Sequence, residues 1–216
     1  MQKSPPDPIT IAVVDYGAGN LRSVRRALQA VGQEPTVTSD PHVLEGAHAL
    51  VLPGVGSAND AMKALWRLGL VQPLRDYASS ERPFLGVCVG LQLLFDWSEE
   101  GGGAECLGIL PGTVRRFRAE EAAGIKVPHM GWNSVWFKYE HPLLAGVPND
   151  SHFYFVHSYY ADPLDRSVVI GDTSYGVDFA AIVARDNIAA VQFHPEKSAE
   201  LGLRLYENFA RQVASH

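Results

Sequence analysis

The chain has 216 residues, 46% of them hydrophobic, and a formal net charge of −6. This is enough apolar material for one sizeable core, and mild acidity without a basic stripe excludes nucleic acid as the main partner. Two cysteines, Cys88 and Cys106, are too few for a disulfide framework, and no apolar run nears the roughly 20 residues that span a bilayer, so a cytoplasmic protein is expected.

Residues 1–8, MQKSPPDP, carry three prolines where a secretion signal needs an apolar stretch, and read as a disordered leader. One domain, 9–216, is expected after it. ITIAVVD (9–15) is a β-branched strand, YGAGN a glycine-rich turn, and LRSVRRALQAVG a helix closed by glycine. ALVLPG (49–54) reads as a second strand running into a loop, and AMKALWRLGL as the helix after it. PFLGV leads into VGLQLLFDWSEE as a third strand and helix. Apolar strands alternating with helices imply a parallel sheet covered on both faces.

The second half differs. GTVRRF, NSVWF, FYFVHSYY, SVVIGDTSYG, FAAIVARD and IAAVQF are closely spaced strand candidates separated by turn residues, the pattern of antiparallel hairpins. AELGLRLYENFARQVA (199–214) closes the chain as a helix. The fold class is therefore α/β: a central mixed, mostly parallel sheet flanked by helices, with added antiparallel strands in the C-terminal half.

Cys88 stands where the third strand meets its helix, in G-V-C-V-G. Ligands of parallel sheets bind at the carboxyl ends of strands. Gly86 and Gly90 remove side chains on either side, permitting a strained turn that pushes the thiol outward, as in a nucleophile elbow. A helix N-terminus favours the thiolate, and the Val89 N–H can face an oxyanion on the attacked carbonyl. A buried free cysteine beside packing glycines is the alternative. Cys106, after GGGAE, reads as structural.

Three histidines are candidate bases: His129 in VPHMGWN, His157 in FYFVHSYY and His194 in VQFHPEKS. His194 follows an apolar strand, and Glu196 two residues later can accept its ring N–H, completing a Cys–His–Glu set. His129 and His157, wrapped in aromatics, read as core or interface histidines. No residue pair has metal-ligand spacing, and GAGNLR is only half a dinucleotide fingerprint, with Arg22 where its third glycine belongs.

With Cys88, His194 and Glu196 in hand, the chain resembles the class I glutamine amidotransferases, a flavodoxin-like fold. DYGAGNLRSV, LPGVGSANDAM, GVCVGLQLLF, PHMGWN, FYFVHSYY and QFHPEKS occur in order over nearly the whole chain. Within that family YGAGNLRS, PHMGWN and FYFVHSYY resemble the glutaminase subunits of imidazole glycerol phosphate synthases. Val89 and Leu91 replace the leucine and methionine common there, at similar apolar volume. The resemblance implies glutamine hydrolysis through a thioester on Cys88, with His194 and Glu196 completing the triad and no cofactor or metal. It implies an oxyanion hole at Val55 and Val89, and glutamine binding by Gly54, Gln92 and Glu100. It further implies a (β/α)8-barrel cyclase as partner in a heterodimer, with Asn20, Trp132, Tyr154 and Lys197 near that interface and the ammonia path. A stand-alone cysteine hydrolase and a silent partner-binding scaffold are the rival readings.

Overall fold

The computed structural model describes residues 9–118 and 125–214, so the expected leader lies outside the described residues. A nine-stranded sheet forms the centre, in the order β2-β1-β3-β4-β13-β12-β11-β8-β9. Its parallel half consists of β1 (Ile11–Val14), β2 (Thr36–Thr38), β3 (Ala49–Leu52), β4 (Phe84–Val87) and β13 (Ile188–Val191). Every residue of β1, β3, β4 and β13 is buried, which is why these strands show no in–out alternation.

The sheet continues antiparallel through β12 (Val177–Arg185), β11 (Val169–Tyr175), β8 (His129–Phe137) and β9 (Ser151–His157). A four-stranded sheet, β10-β7-β5-β6, lies beside it: β5 (Trp97–Ser98), β6 (Ala104–Glu105), β7 (Gly112–Arg116) and β10 (Tyr159–Pro163). There Arg115 forms a 2.9 Å ion pair with Asp162.

Helices cover the parallel strands with single apolar faces. In α1 (Leu21–Ala30) these are Val24, Ala27 and Leu28, and in α3 (Ala58–Arg67) Ala58, Ala61, Met62 and Leu65. Ser57 caps α3 by accepting the Asp60 N–H at 3.2 Å, a contribution of about 1 kcal/mol. The helix α6 spans Ala199–Ala214, the residues expected. Two short helices, α2 (Pro41–Gly46) and α4 (Val71–Ala78), were not foreseen.

Two expectations need correction. The helix after Cys88, α5, runs only from Val89 to Gln92. Leu91, Leu93, Leu94 and Phe95 are all fully buried, so periodicity could not separate helix from buried turn. The backbone tightens to i→i−3 bonds, Leu94 N–H to Leu91 O and Phe95 N–H to Gln92 O, before entering β5. FYFVHSYY is likewise not one strand. It leaves the large sheet at His157 and joins the small one at Tyr159, so Ser158 spans the gap between them.

Candidate active site

The turn at Cys88 has φ 55° and ψ −109°, a strained conformation for a non-glycine residue. Its surroundings enforce it. The Cys88 N–H donates to Val191 O at 2.8 Å, and Cys88 O accepts from Leu91 and Gln92. A Cβ on Gly90 would stand 1.9 Å from Leu52 O, and one on Gly86 2.9 Å from the Ala190 Cβ. Neighbouring strands therefore close on the bend as only glycine allows.

Cys88 is only 3% exposed, which corrects the expectation of an outward thiol. It opens into a cavity of about 280 Å³ shared with Val55, Val89, Gln92, Glu100, His157, Ser158, Tyr159 and His194. This lies just under the roughly 300–1,000 Å³ of drug-sized ligand sites, and suits one small metabolite. A larger groove of about 680 Å³ along Phe137–Asn149 has no thiol, serine or threonine in its lining. The smaller cavity sits beyond the carboxyl ends of β3, β4 and β13, where an open parallel sheet binds its ligands.

His194 follows β13, and the turn carrying it is tied to β9. The His194 N–H donates to Tyr154 O at 2.9 Å, and the Ser198 hydroxyl donates to His194 O at 2.7 Å. Gly202 lets α6 close on this turn, since a Cβ there would meet Pro195 O at 1.9 Å. His194 Nδ1 lies 2.7 Å from Glu196 Oε1, with both side chains fully buried. Nε2 is buried and, among the described residues, has no nitrogen or oxygen hydrogen-bond partner. Burial opposes charge on His194, but the Cys88 sulfur and the Glu196 carboxylate outweigh it and raise the imidazole pKa well above its ordinary range. Burial also opposes charge on Glu196, and contact with His194 overcomes it, holding the carboxyl below its usual value. The arrangement favours an imidazolium with a carboxylate on one side and sulfur on the other.

Asn20, expected near the partner interface and the ammonia path, is 8% exposed and lies beside the Glu196 carboxylate. Its Nδ2 donates to Glu196 Oε1, and the buried Tyr206 hydroxyl approaches Oε2 at 3.4 Å. Gly54 likewise does not line the cavity. A Cβ there would press on the Tyr16 hydroxyl and the Val89 Cβ, both at 2.6 Å, so only glycine lets the loop pack this closely on the bend. Tyr16 donates to Pro53 O at 2.9 Å, and burial, reinforced by Cys88, keeps its hydroxyl protonated.

Val55 and Val89 do line the cavity, and among the described residues no protein acceptor takes either amide. Glu100 lines it too. Its Oε2 accepts the Ala58 N–H at 2.6 Å at the start of α3, while burial raises its pKa. Gln92 is buried against the cavity and donates to Tyr159 O and Gln192 Oε1. Sequence reading missed Gln192, whose Nε2 lies 3.8 Å from Cys88 Sγ; its place two residues before His194 at a strand end was the available signal. Cys106 is buried, and burial pushes its pKa up to about 12, which suits an inert thiol.

Trp132, Tyr154 and Lys197 gather on the outward face of β8 and β9. Trp132 and Tyr154 are register partners with rings 6.2 Å apart, and Lys197 Nζ sits 5.7 Å from the Tyr154 ring. Met130 and Trp132 are 63% and 55% exposed there, an unusual apolar surface.

His129 and His157 are buried core histidines, with pKa values pulled by burial to about 4 and about 3. Burial also lowers His141. Between those folded values and the unfolded value of about 6.5, the unfolded chain binds more protons, so stability is lost as pH falls through that window. His194, being raised, has the opposite sign: its contribution is complete below about 6.5 and is lost only as pH climbs through its folded value. The unfolding free energy from denaturant titration is thus expected to fall between pH 6.5 and 5, by up to about 1.4 kcal/mol per pH unit for each of His129 and His157, with the midpoint falling in step. Midpoints unchanged over that range would show that the rings are not held neutral.

The family description "Glutamine amidotransferase class-I" matches residues 12–213. The chain is 49% identical over 203 residues to the imidazole glycerol phosphate synthase subunit HisH of Dehalococcoides mccartyi, covering 94% of this chain and 97% of that one. The subunits of the same name from Moorella thermoacetica and Chloroflexus aurantiacus are each 50% identical, covering 94% and 93% of this chain and 95% of each relative. Among solved structures, a glutamine amidotransferase superposes with TM-score 0.72 at 22% identity over 94% of this chain and 98% of that one. The glutaminase domain of Trypanosoma brucei CTPS with bound acivicin gives 0.68 at 19% identity over 96% and 94%. At such identities these two likenesses speak for the fold alone.

Proposed function

The chain belongs to the class I glutamine amidotransferases, and from that premise we propose that it is the glutaminase subunit of an imidazole glycerol phosphate synthase. In this reading it hydrolyses L-glutamine to glutamate and ammonia in the cytoplasm and passes the ammonia to a cyclase in histidine biosynthesis. One observation carries the chemistry: Cys88 and a buried His194–Glu196 pair share a cavity of single-metabolite size at the strand ends.

The steps follow from what each group can do. Cys88 gives its proton to His194 and attacks the side-chain amide carbon of glutamine as thiolate. The carbonyl electron pair moves onto oxygen, and the oxyanion is met by the Val55 and Val89 amides. His194 returns its proton to nitrogen, the C–N bond breaks, and ammonia leaves a thioester on Cys88. Water then attacks that thioester with His194 as base, and collapse expels the thiolate and yields glutamate. Glu196, held by Asn20 and Tyr206, keeps the ring oriented and offsets its charge. Glu100 offers a carboxylate to the substrate ammonium, and Gln92 lies beside it in the cavity wall.

Ammonia that reached bulk water would be protonated and lost to the second reaction. The exposed Met130–Trp132 face with Tyr154 and Lys197 supports docking of a (β/α)8-barrel cyclase there, which would receive the ammonia without exposing it. Asn20, although buried, reaches the proposed site directly, donating to the Glu196 carboxylate. The test is glutamate release with and without the cyclase and its nucleotide ligand. Release is expected to be slow alone and to rise by a factor of roughly 10² in the complex, a coupling of about 3 kcal/mol. Full activity of the lone chain would refute the coupling, and no release in either state would refute the glutaminase reading.

A further inference from the structure

Two buried imidazoles have no part in those steps. His129 and His157 are register partners across β8 and β9, with His129 Nδ1 3.0 Å from His157 Nε2. Phe117, Phe155, Phe179 and Tyr175 surround the pair. A hydrogen bond between two neutral rings needs a direction, and each end of the chain supplies one independently.

At one end, His157 Nδ1 lies 2.8 Å from Tyr159 O. A carbonyl only accepts, so Nδ1 carries the proton and Nε2 the lone pair, and His129 must donate from Nδ1. At the other end, Asn133 Nδ2 donates to Ser174 O at 3.0 Å while Oδ1 accepts the Ser134 N–H at 2.9 Å, which fixes the amide. The same Nδ2 lies 3.3 Å from His129 Nε2, which must therefore hold a lone pair. Both routes assign the Nδ1–H tautomer to both rings.

The chain continues past Tyr159. Its carbonyl also accepts from Gln92 Nε2 at 2.9 Å, and the second Nε2 proton goes to Gln192 Oε1 at 3.1 Å. Gln92 lines the cavity with both amide protons committed, so its oxygen is the group left for a ligand. We propose that His129 and His157 are positioning residues of the glutaminase site: as a neutral, Nδ1-protonated pair they hold the Tyr159 carbonyl, and through it turn Gln92 to present an acceptor oxygen. A ligand there must bring a hydrogen-bond donor, which glutamine carries as N–H on both its amide and its ammonium. This rests on the glutamine reading of the cavity.

The experiment uses the full chain with its cyclase and nucleotide. Nitrogen-15 spectra of the unaltered protein are expected to show both rings neutral with the proton on Nδ1. His157→Phe keeps a ring but removes the donor to Tyr159 O, and is expected to raise KM for glutamine about ten-fold, the worth of one hydrogen bond, with kcat within two-fold. Alkylation of Cys88 by iodoacetamide, which needs no such subsite, should be unchanged. His157→Asn, which restores a donor of similar reach, should recover most of the KM. His129→Phe, which strips the partner from His157 without touching the carbonyl, should give a smaller rise of about two- to three-fold and serves if His157→Phe does not fold.

An Nε2–H or doubly protonated ring would overturn the proposal, as would unchanged KM in both phenylalanine variants. A joint fall in kcat and alkylation rate would mean a packing role instead. If the unaltered complex releases no glutamate, the function reading fails, and the spectra still decide the tautomers.

Discussion

Cys88→Ala is expected to lower glutamate release by a factor on the order of 10⁴ or more while leaving the fold and cyclase binding intact. The side chain removed is one sulfur opening into a cavity, so little packing is lost, and the backbone bend is held by Val191 O and by the glycines on either side. What disappears is the only thiol among the described cavity-lining residues, set beside a buried imidazole paired with a carboxylate. The remaining amides and binding contacts give a small residual rate at most. Ammonia supplied from solution should still support the cyclase step in the same complex, separating loss of chemistry from loss of assembly. Glutamine turnover within ten-fold of the unaltered protein would take Cys88 out of the mechanism.

How far this site was legible depended on range. Gly86, Cys88 and Gly90 fall within five residues, and His194 and Glu196 within three, so local patterns disclosed them. Asn20 was legible only as part of a motif, and its contact with Glu196 spans 176 positions, a separation no local pattern encodes. Gln192 directly follows the apolar strand β13, whose burial hid its amide, and Tyr159 acts through a backbone carbonyl that any residue could supply. In the fold, α6 was legible to its ends because one amphipathic face alternates with solvent over sixteen residues. The stretch after Cys88 was not, because uniformly apolar sequence carries no period. FYFVHSYY reads as one strand by composition, and the chain divides it because Val156–Tyr159 must pass along the cavity wall between two sheets.

The division also explains a common thread in the architecture. Cavity residues come from the ends of β3, β4 and β13, from the crossing between β9 and β10, and from Glu100 beyond β5. In the proposed reaction the parallel strands supply nucleophile, base and the Val55 and Val89 amides on a buried frame. The antiparallel additions supply the wall with the His129–His157 pair, and carry the exposed Trp132 face on the opposite side of the same two strands. Motion of β8 against β9 would therefore reach the cavity and the exposed face together, a geometry suited to a glutaminase governed by its partner.

Gly90→Ala should show how much of this rests on one missing methyl group. The added Cβ would stand 1.9 Å from Leu52 O and 2.9 Å from Leu52 C, both backbone atoms of β3. A strand paired on both sides cannot step back as a flexible side chain would, so β3 and the elbow must separate. The expected cost is about 3 kcal/mol or more, a fall in melting temperature of roughly 6–12 °C for a chain of this size. Separation also carries Cys88 and Val89 away from Val55, and an error near 1 Å at reacting groups costs on the order of 10²-fold in rate. Gly46→Ala is the control. Nothing lies within 4 Å of its Cβ position and it ends α2, so its melting temperature should stay within about 2 °C of the unaltered protein. Equal effects from the two substitutions would mean that the approach of β3 to the elbow does not hold the nucleophile in place.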